Sequence, residues 1–280
     1  PGSLLLPRRE AAVLSQLVPG QRKGGLAPFL LLVLFLCQGC AVSALESVAA
    51  NDALPDKVLF VGNSFTYYNN SLHNHFEELT WTSGLLNRER TRTRIMTISG
   101  GRLPEHDGGF QHVLAGDAWD VVVLQGHSLG PISDDTAQPF RQAARKFANI
   151  ARLQGTRPAF FMTWAYTGQP EMTAKIDLAY TSIGRELGAQ VVPVGLAFAE
   201  VTGERPDIRL RTSDKKHPAL AGTYLAACTF FAALYGQSPE GVSYDAGLGK
   251  EQAAYLQQVA WQTVQAYNQR EADWLPAAVR

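Results

Sequence analysis

The sequence predicts an α/β protein, in which a parallel sheet of about five strands lies between two layers of helices. Short, mostly apolar runs alternate with longer amphipathic stretches along residues 57–268. Strands that alternate with helices favour a parallel sheet, and a sheet covered on both faces has apolar strands without polar alternation. The composition, 46% hydrophobic and 18% charged, is that of a globular chain with a substantial core.

Five strands and five helices are expected within this pattern. The strands are predicted at Lys57–Gly62, Thr93–Ser99, Trp119–Gln125, Ala159–Trp164 and Gln190–Val194. The helices are predicted at Leu72–Leu86, Thr136–Leu153, Met172–Leu187, Ala219–Tyr235 and Glu251–Asn268. Gly188 and Gly236 directly follow two of these helices, where a left-handed glycine commonly ends a helix. A flavodoxin-like strand order, 2-1-3-4-5, would place the loops after the first three strands side by side at the carboxyl edge of the sheet.

The domain organisation is expected to be simple. Residues 1–44 form an N-terminal extension with an export signal, residues 45–56 a linker, and residues 57–280 one globular domain. The chain has 25 Lys and Arg and 25 Asp and Glu, so its formal net charge is zero. Basic residues form only short runs, such as Arg88–Arg94, so nucleic acid is not an expected partner.

The export signal is predicted from the apolar run Leu26–Leu36. This run is shorter than the roughly 20 residues that span a bilayer, and two basic residues precede it, as in a secretory signal peptide. Cleavage is possible after Ala44, or before Cys40, which would then carry a lipid anchor. Both alternatives place the mature protein outside the cytoplasm, and the mass of its N-terminus distinguishes them.

No metal or cofactor is expected. His73 and His75 are two residues apart, so on a helix they point to different faces, and His106 and His112 lack ligand spacing. Cys228 lies in an apolar helical stretch and is expected to be an inert core residue.

Two segments at opposite ends of the domain carry possible chemistry. Ser64 follows the first strand at a strand-to-helix corner, which exposes a hydroxyl and aims backbone N–H groups at an anion. Asp214 precedes His217 by three residues, so its carboxylate can bind one ring nitrogen and leave the other to accept a serine proton. Taken singly, Ser64 could be a helix N-cap, and the Asp–His pair a cap with a surface ion pair.

Taken together, these segments resemble the SGNH hydrolase superfamily, also called GDSL esterases and lipases. Its first block, Gly-Asp-Ser-Leu, corresponds to Gly-Asn-Ser-Phe ending at Phe65, and its last block, Asp-x-x-His, to Asp214 and His217. The resemblance covers about residues 57–236. It implies hydrolysis of small-molecule or polysaccharide esters, such as carbohydrate O-acetyl esters, with Ser64 as nucleophile, Asp214 and His217 completing the triad, and no cofactor.

The resemblance also implies an oxyanion hole built from three blocks. Its donors would be the N–H of Ser64, a glycine N–H after the second strand and a side-chain amide after the third. Gly100 is the best match for the glycine, with Gly101 as the fallback. Gln125 stands where the superfamily has Asn, and it is longer by one methylene. If Gln125 does not reach the oxyanion, two backbone donors remain.

Two alternatives stay open at this point. Gly-His-Ser-Leu-Gly around Ser128 matches the Gly-x-Ser-x-Gly elbow of α/β-hydrolase lipases and follows a strand. A polar stretch at residues 133–135 follows it, where the elbow's helix should continue. The second alternative is a non-catalytic glycan-binding protein of the same fold, which retention of Ser64, Asp214 and His217 disfavours.

Overall fold

The computed structural model describes residues 54–274, and these form a parallel five-stranded sheet with the order β2-β1-β3-β4-β5. The expected export signal, Cys40 and most of the linker lie outside the described residues. The strands are β1 Lys57–Gly62, β2 Arg92–Thr97, β3 Val121–Leu124, β4 Arg157–Phe161 and β5 Gln190–Val192. The predicted flavodoxin-like α/β fold is confirmed.

Helices cover the sheet. In chain order they are α1 Ser64–Tyr67, α2 Leu72–Thr82, α3 Asp107–Leu114, α4 Ala137–Leu153, α5 Glu171–Leu187, α6 Val194–Glu204, α7 Leu220–Tyr235 and α8 Lys250–Trp274, with a 3₁₀ helix at Leu103–His106. Helix α7 packs against α2, α6 and α8, whereas α4 packs against α3 and α5. Because α7 is apolar on every side, nearly all its residues are buried. Gly188 and Gly236 end α5 and α7 with φ of 54° and 63°, which confirms both predicted caps.

Helix α6 was not predicted, and its first residue was assigned to a strand. Its start packs unusually closely on the segment after β4: a Cβ added to Gly195 would lie 2.0 Å from the carbonyl oxygen of Thr163. This approach depends on long-range packing, and β5 ends only two residues earlier, at Val192. A short apolar run cannot be divided between a strand and a buried helix by periodicity alone.

The sheet register brings three loops together at its carboxyl edge. Gly62 of β1 pairs with Thr97 of β2, and Val61 pairs with Leu124 of β3, so the three strands end at the same level. The segments that follow contain Ser64, Gly100 and Gln125, and therefore lie side by side as predicted.

Within residues 54–274, no helix is both long and apolar enough to cross a bilayer. The same part of the chain contains no group of three or more His, Cys, Asp or Glu side chains arranged to hold a metal ion. Cys228 is fully buried, and burial raises the pKa of its thiol.

Four histidines are expected to make the folded protein sensitive to acid. Burial and the charge of Arg94 lower the pKa of His73 to about 4, and burial also lowers the pKa of His75, His106 and His127. Below the ordinary histidine pKa of about 6.5, the unfolded chain therefore binds more protons than the folded one. The free energy of unfolding should fall as the pH falls through the range between those values.

Thermal unfolding at a series of pH values measures this effect. We expect the Tm to fall between about pH 7 and about pH 5, below the ordinary histidine pKa. His75→Gln should reduce the slope of Tm against pH, because it removes a buried titrating group, whereas His112→Gln on the exposed surface should leave the slope unchanged. A Tm that is constant across this range would contradict the expectation.

Candidate active site

The corner after β1 presents Ser64 to a histidine from the far end of the domain. Ser64 is the first residue of α1, and the N-cap is Asn63, whose side-chain oxygen accepts a hydrogen bond from the N–H of Phe65 at 3.1 Å. Because Asn63 is the cap, the Ser64 hydroxyl is not needed for capping. Its Oγ lies 2.9 Å from Nε2 of His217.

The turn before α7 uses both oxygens of Asp214. Oδ1 accepts hydrogen bonds from the backbone N–H groups of Lys216 and His217 at 2.9 and 3.0 Å, and from the Thr212 hydroxyl at 2.7 Å. Oδ2 is hydrogen-bonded to Nδ1 of His217. Asp214 therefore organises the turn with one oxygen and orients the imidazole with the other.

These contacts also keep Asp214 ionised. Desolvation by itself raises the pKa of the Asp214 carboxyl, but hydrogen bonds from His217, Lys216 and Thr212 together hold it well below its usual range. A permanent carboxylate stabilises an imidazolium beside it, as the protonated intermediate of a serine hydrolase requires.

Aromatic rings fix the position of the imidazole. Tyr68 stacks on His217 with a centroid distance of 4.4 Å and an interplanar angle of 9°, and Phe65 meets it edge-on at 5.7 Å. Trp164 lies one layer deeper: it stacks on Phe65 at 4.5 Å, and its indole N–H donates to the carbonyl oxygen of Lys216 at 3.0 Å. Trp164 is fully buried and belongs to the support of the site.

Two backbone N–H groups face the cleft beside Ser64. Within residues 54–274, the N–H groups of Ser64 and Gly100 have no hydrogen-bond acceptor, and both residues line the cleft. Gly100 has φ of +66°, a left-handed conformation that favours glycine. The fallback residue Gly101 donates its N–H to the carbonyl of Ile98 at 2.9 Å, so it is not available to a substrate.

The expected oxyanion role of Gln125 does not fit this geometry. Its amide nitrogen donates to Oδ1 of Asn63 at 2.7 Å and to the carbonyl oxygen of Gly126 at 3.2 Å, which uses both of its hydrogens. The side chain is only 1% exposed and does not line the cleft. With its additional methylene, the Gln125 side chain places its amide against Asn63 and Thr66, beneath the turn that carries Ser64 and outside the cleft.

Gln125 instead joins the blocks around Ser64. Its amide oxygen accepts hydrogen bonds from the N–H of Asn63 at 3.2 Å and from the Thr66 hydroxyl at 2.6 Å. Asn63 in turn donates from Nδ2 to the carbonyl oxygen of Gly101 at 2.9 Å. Asn63 and Gln125 both differ from the usual superfamily residues, and they bind each other, so the two departures form one buried network.

Gln125→Ala is therefore expected to lower both kcat and Tm. The substitution leaves the Thr66 hydroxyl and the Asn63 N–H without their buried partner. It also removes the support of the turn that positions Ser64. Displacement of a reacting group by about 1 Å can cost about 10²-fold in rate, and unsatisfied buried polar groups cost stability. We expect kcat to fall by about 10–10².

A double-mutant cycle with Asn63→Ala separates positioning from direct donation. If the network acts as a unit, the effects of the two substitutions on kcat are not additive. The opposite result would support the oxyanion role. In that case Gln125→Ala lowers kcat without changing the Tm, and the effects of the two substitutions on kcat are additive.

Ser128 lies in the cleft but lacks the environment of a nucleophile. Its hydroxyl is hydrogen-bonded to the hydroxyl of Tyr166, while the reactive nitrogen of His217 faces Ser64. Turns follow Ser128, and the next helix, α4, begins only at Ala137. The nucleophile elbow of α/β-hydrolases requires a helix to begin directly after the strand and the serine. Here the helix begins nine residues after Ser128, so this requirement is not met.

The cleft has a volume of about 400 Å³ and contains side chains that sequence reasoning did not assign to the site. They are Tyr67, Tyr68, His127, Tyr166 and Lys216. Their positions within three residues of a block or of a predicted strand end were the available signal. That proximity did not show which side chains turn towards Ser64.

No protein-family profile matches the sequence, and no curated protein matches it either. Solved structures do match: the architecture is that of SGNH hydrolases. One neighbour is a DUF4886-family protein from Bacteroides uniformis, with a TM-score of 0.58 and 22% identity over 75% of this chain and 94% of that one. Another, from Slackia heliotrinireducens, is itself only proposed to be an SGNH hydrolase; its TM-score is 0.52, with 26% identity over 64% of this chain and 98% of that one.

An acetylxylan esterase from Geobacillus stearothermophilus has the same architecture. Its TM-score is 0.52, with 16% identity over 64% of this chain and 94% of that one. Two variants of that esterase, in which a histidine and a serine are replaced by alanine, are described as catalytic mutants. The structural neighbours thus include hydrolases and esterases, and at these identities the likeness shows a common fold.

Proposed function

We propose that the protein is an exported serine esterase that hydrolyses acyl esters through an acyl-enzyme on Ser64. The observation that carries the proposal is the hydrogen-bonded sequence from Ser64 Oγ to His217 Nε2, at 2.9 Å, and from His217 Nδ1 to Asp214. A nucleophile within reach of a base, with the base held by a third group, is the recognised arrangement of a serine hydrolase.

Acylation begins with attack of Ser64 Oγ on the ester carbonyl carbon. His217 Nε2 accepts the serine proton, and the carbonyl oxygen becomes an oxyanion that takes hydrogen bonds from the N–H groups of Ser64 and Gly100. Collapse of this intermediate breaks the bond to the alcohol, which leaves with the proton from His217. In the second half, His217 deprotonates a water molecule, which attacks the acyl carbon. Collapse of this second intermediate breaks the bond to Ser64 Oγ, which takes the proton back from His217 as the acid leaves.

With Gln125 turned away, the proposed oxyanion hole has two backbone donors. One such donor typically contributes about 10²–10³ in rate. Asn63 holds the two donor loops together through its bond to the Gly101 carbonyl, so the spacing of the donors is set before the substrate arrives. Fixed donors of this kind need no reorganisation during the reaction.

The cleft favours a short acyl group on a polar alcohol. A volume of about 400 Å³ is small, and its lining combines aromatic rings with hydroxyl groups from Tyr67, Ser99 and Tyr166. Aromatic residues with polar tips suit a sugar, which has apolar faces and polar edges. We therefore propose carbohydrate O-acetyl esters as the substrate class; the acetylxylan esterase neighbour and the export signal expected in residues 1–44 are consistent with it.

A series of para-nitrophenyl esters with increasing acyl length tests this proposal. Acetate should be hydrolysed with the highest kcat/KM, and the value should fall steadily with longer chains because the cleft is short. Acetylated xylan and a de-esterified control then test the release of acetate from a polymer. Saturable binding of the glycan without hydrolysis of any ester would refute the esterase and favour a glycan-binding protein.

A further inference from the structure

Lys216 is a cation in the lining of the cleft beside Ser64, and Arg102 lies on the neighbouring loop after β2. Across the described residues, neither Arg102 nor Lys216 has a carboxylate oxygen within 4.0 Å of its charged group, whereas many other basic side chains form ion pairs. Asp214 is the acid closest to the reacting atoms, and its oxygens are occupied by the hydrogen bonds that hold the turn and His217.

Lys216 is held so that its ammonium group faces the cleft. Its backbone N–H donates to Asp214, and its carbonyl accepts from the indole of Trp164. Its Nζ lies 5.1 Å from the ring centroid of Tyr166, a cleft residue that is only 7% exposed. The Tyr166 hydroxyl is tied to Ser128, so this ring is a fixed platform for the cation.

Arg102 contributes to the same field from the loop after β2. Burial lowers the pKa of His127, and the charges of Arg102 and Lys216 lower it further, with Glu105 opposing them. Arg102 and Lys216 therefore both act on His127, a residue of the cleft lining, against the opposing charge of Glu105. The Glu105 carboxylate accepts a hydrogen bond from the backbone N–H of Arg102 at 3.2 Å, and it forms no ion pair with the Arg102 guanidinium.

We propose that Lys216, assisted by Arg102, selects esters whose alcohol part carries a carboxylate, such as O-acyl groups on uronic acid residues. The inference rests on the proposed esterase function and adds the substrate's charge to it. The alcohol side is assigned because the departing oxygen must receive its proton from His217 Nε2, and Lys216 is the neighbour of His217 in the same fixed turn.

A pair of matched esters measures this preference: meta-acetoxybenzoate and its methyl ester. They differ in one negative charge on the alcohol part. The quantity of interest is the ratio of kcat/KM for the anionic ester to that for the neutral ester. Comparison of this ratio between variants cancels the intrinsic difference in reactivity.

Lys216→Met should lower the ratio by about three- to thirtyfold relative to the unsubstituted protein, as expected for the loss of one charge at about 6–8 Å in a partly screened cleft. Lys215→Met is the matched control, since Lys215 is adjacent, exposed and absent from the cleft lining, and its ratio should not change. Arg102→Met should lower the ratio by a smaller factor.

Salt provides a second measurement that needs no variant. The ratio in the unsubstituted protein should fall as ionic strength rises from about 0.05 M to about 1 M, because screening shortens the reach of the field to about 3 Å. A ratio that is unchanged by salt and equal in Lys216→Met and the unsubstituted protein overturns this inference while leaving the esterase intact. If neither ester is hydrolysed, the proposed function fails and this inference fails with it.

Discussion

Ser64→Ala is expected to reduce ester hydrolysis by about 10⁶-fold, to the level that oxyanion stabilisation and binding alone can support. The hydroxyl makes the attack, and no other nucleophile in the described cleft is hydrogen-bonded to the reactive nitrogen of His217. His217→Ala should produce a loss of similar size, and the double substitution should add little to either, because the residues act as one unit.

The fold should survive these substitutions. Ser64 is not the N-cap of α1, so its alanine variant keeps the capping bond from Asn63. A Tm within a few degrees of the unsubstituted value shows that any loss of activity is chemical. Ser128→Ala is the matched control, since it removes a second buried hydroxyl from the same cleft and should cost less than about tenfold. Turnover within about tenfold of normal in folded Ser64→Ala would refute the assignment.

Asp214→Asn is expected to lower kcat by about 10⁴-fold. The amide oxygen can still accept from the backbone N–H groups of Lys216 and His217, so the turn persists. The amide nitrogen would then face Nδ1 of His217 and donate to it. This contact forces the proton onto Nε2, which can no longer accept the proton of Ser64.

Thr212→Val is the control for the turn itself. It removes the hydroxyl that donates to Asp214 at 2.7 Å without changing the tautomer of His217. Because Asp214 keeps its three other hydrogen bonds, loss of this one should reduce kcat by about tenfold, far less than the loss in Asp214→Asn. If Thr212→Val and Asp214→Asn lower kcat equally, Asp214 acts only as a support of the turn.

The architecture could be predicted because its signals are local and repeated. Apolar strands alternating with helices define the α/β class, and Gly188 and Gly236 mark helix ends through their left-handed conformation. Helix α6 escaped prediction because its start depends on a close approach to the Thr163 carbonyl. Four of the five predicted strands also ran too long at their carboxyl ends, and only the first ended at the right residue, Gly62.

The candidate site was predictable to the extent that its residues occur in recognisable blocks. Ser64, Asp214 and His217 came from two such blocks, and the structure brings them within hydrogen-bond distance. The direction of the Gln125 side chain could not be predicted, because it depends on a partner from another block: the longer side chain turns back to Asn63. That Asn63 and Gln125 bind each other becomes visible only in the three-dimensional structure, because the two residues are far apart in the sequence.

The remaining cleft residues carry no sequence signal for their direction. Tyr68, His127 and Tyr166 follow blocks or strands in loops without regular periodicity, so sequence spacing does not show where their side chains point. Tyr68, which stacks on His217, is followed directly by three residues in the left-handed conformation, Asn69, Asn70 and Ser71. Such conformations are set by the packing of the whole corner.

The most direct test of the central claim is covalent labelling with a fluorophosphonate, because the reagent stays on the serine that attacks it. After labelling, proteolysis and mass spectrometry identify the modified residue. We expect one label on the peptide that contains Ser64, and its loss in both Ser64→Ala and His217→Ala. Label on Ser128, or equal labelling in the His217→Ala variant, would contradict it.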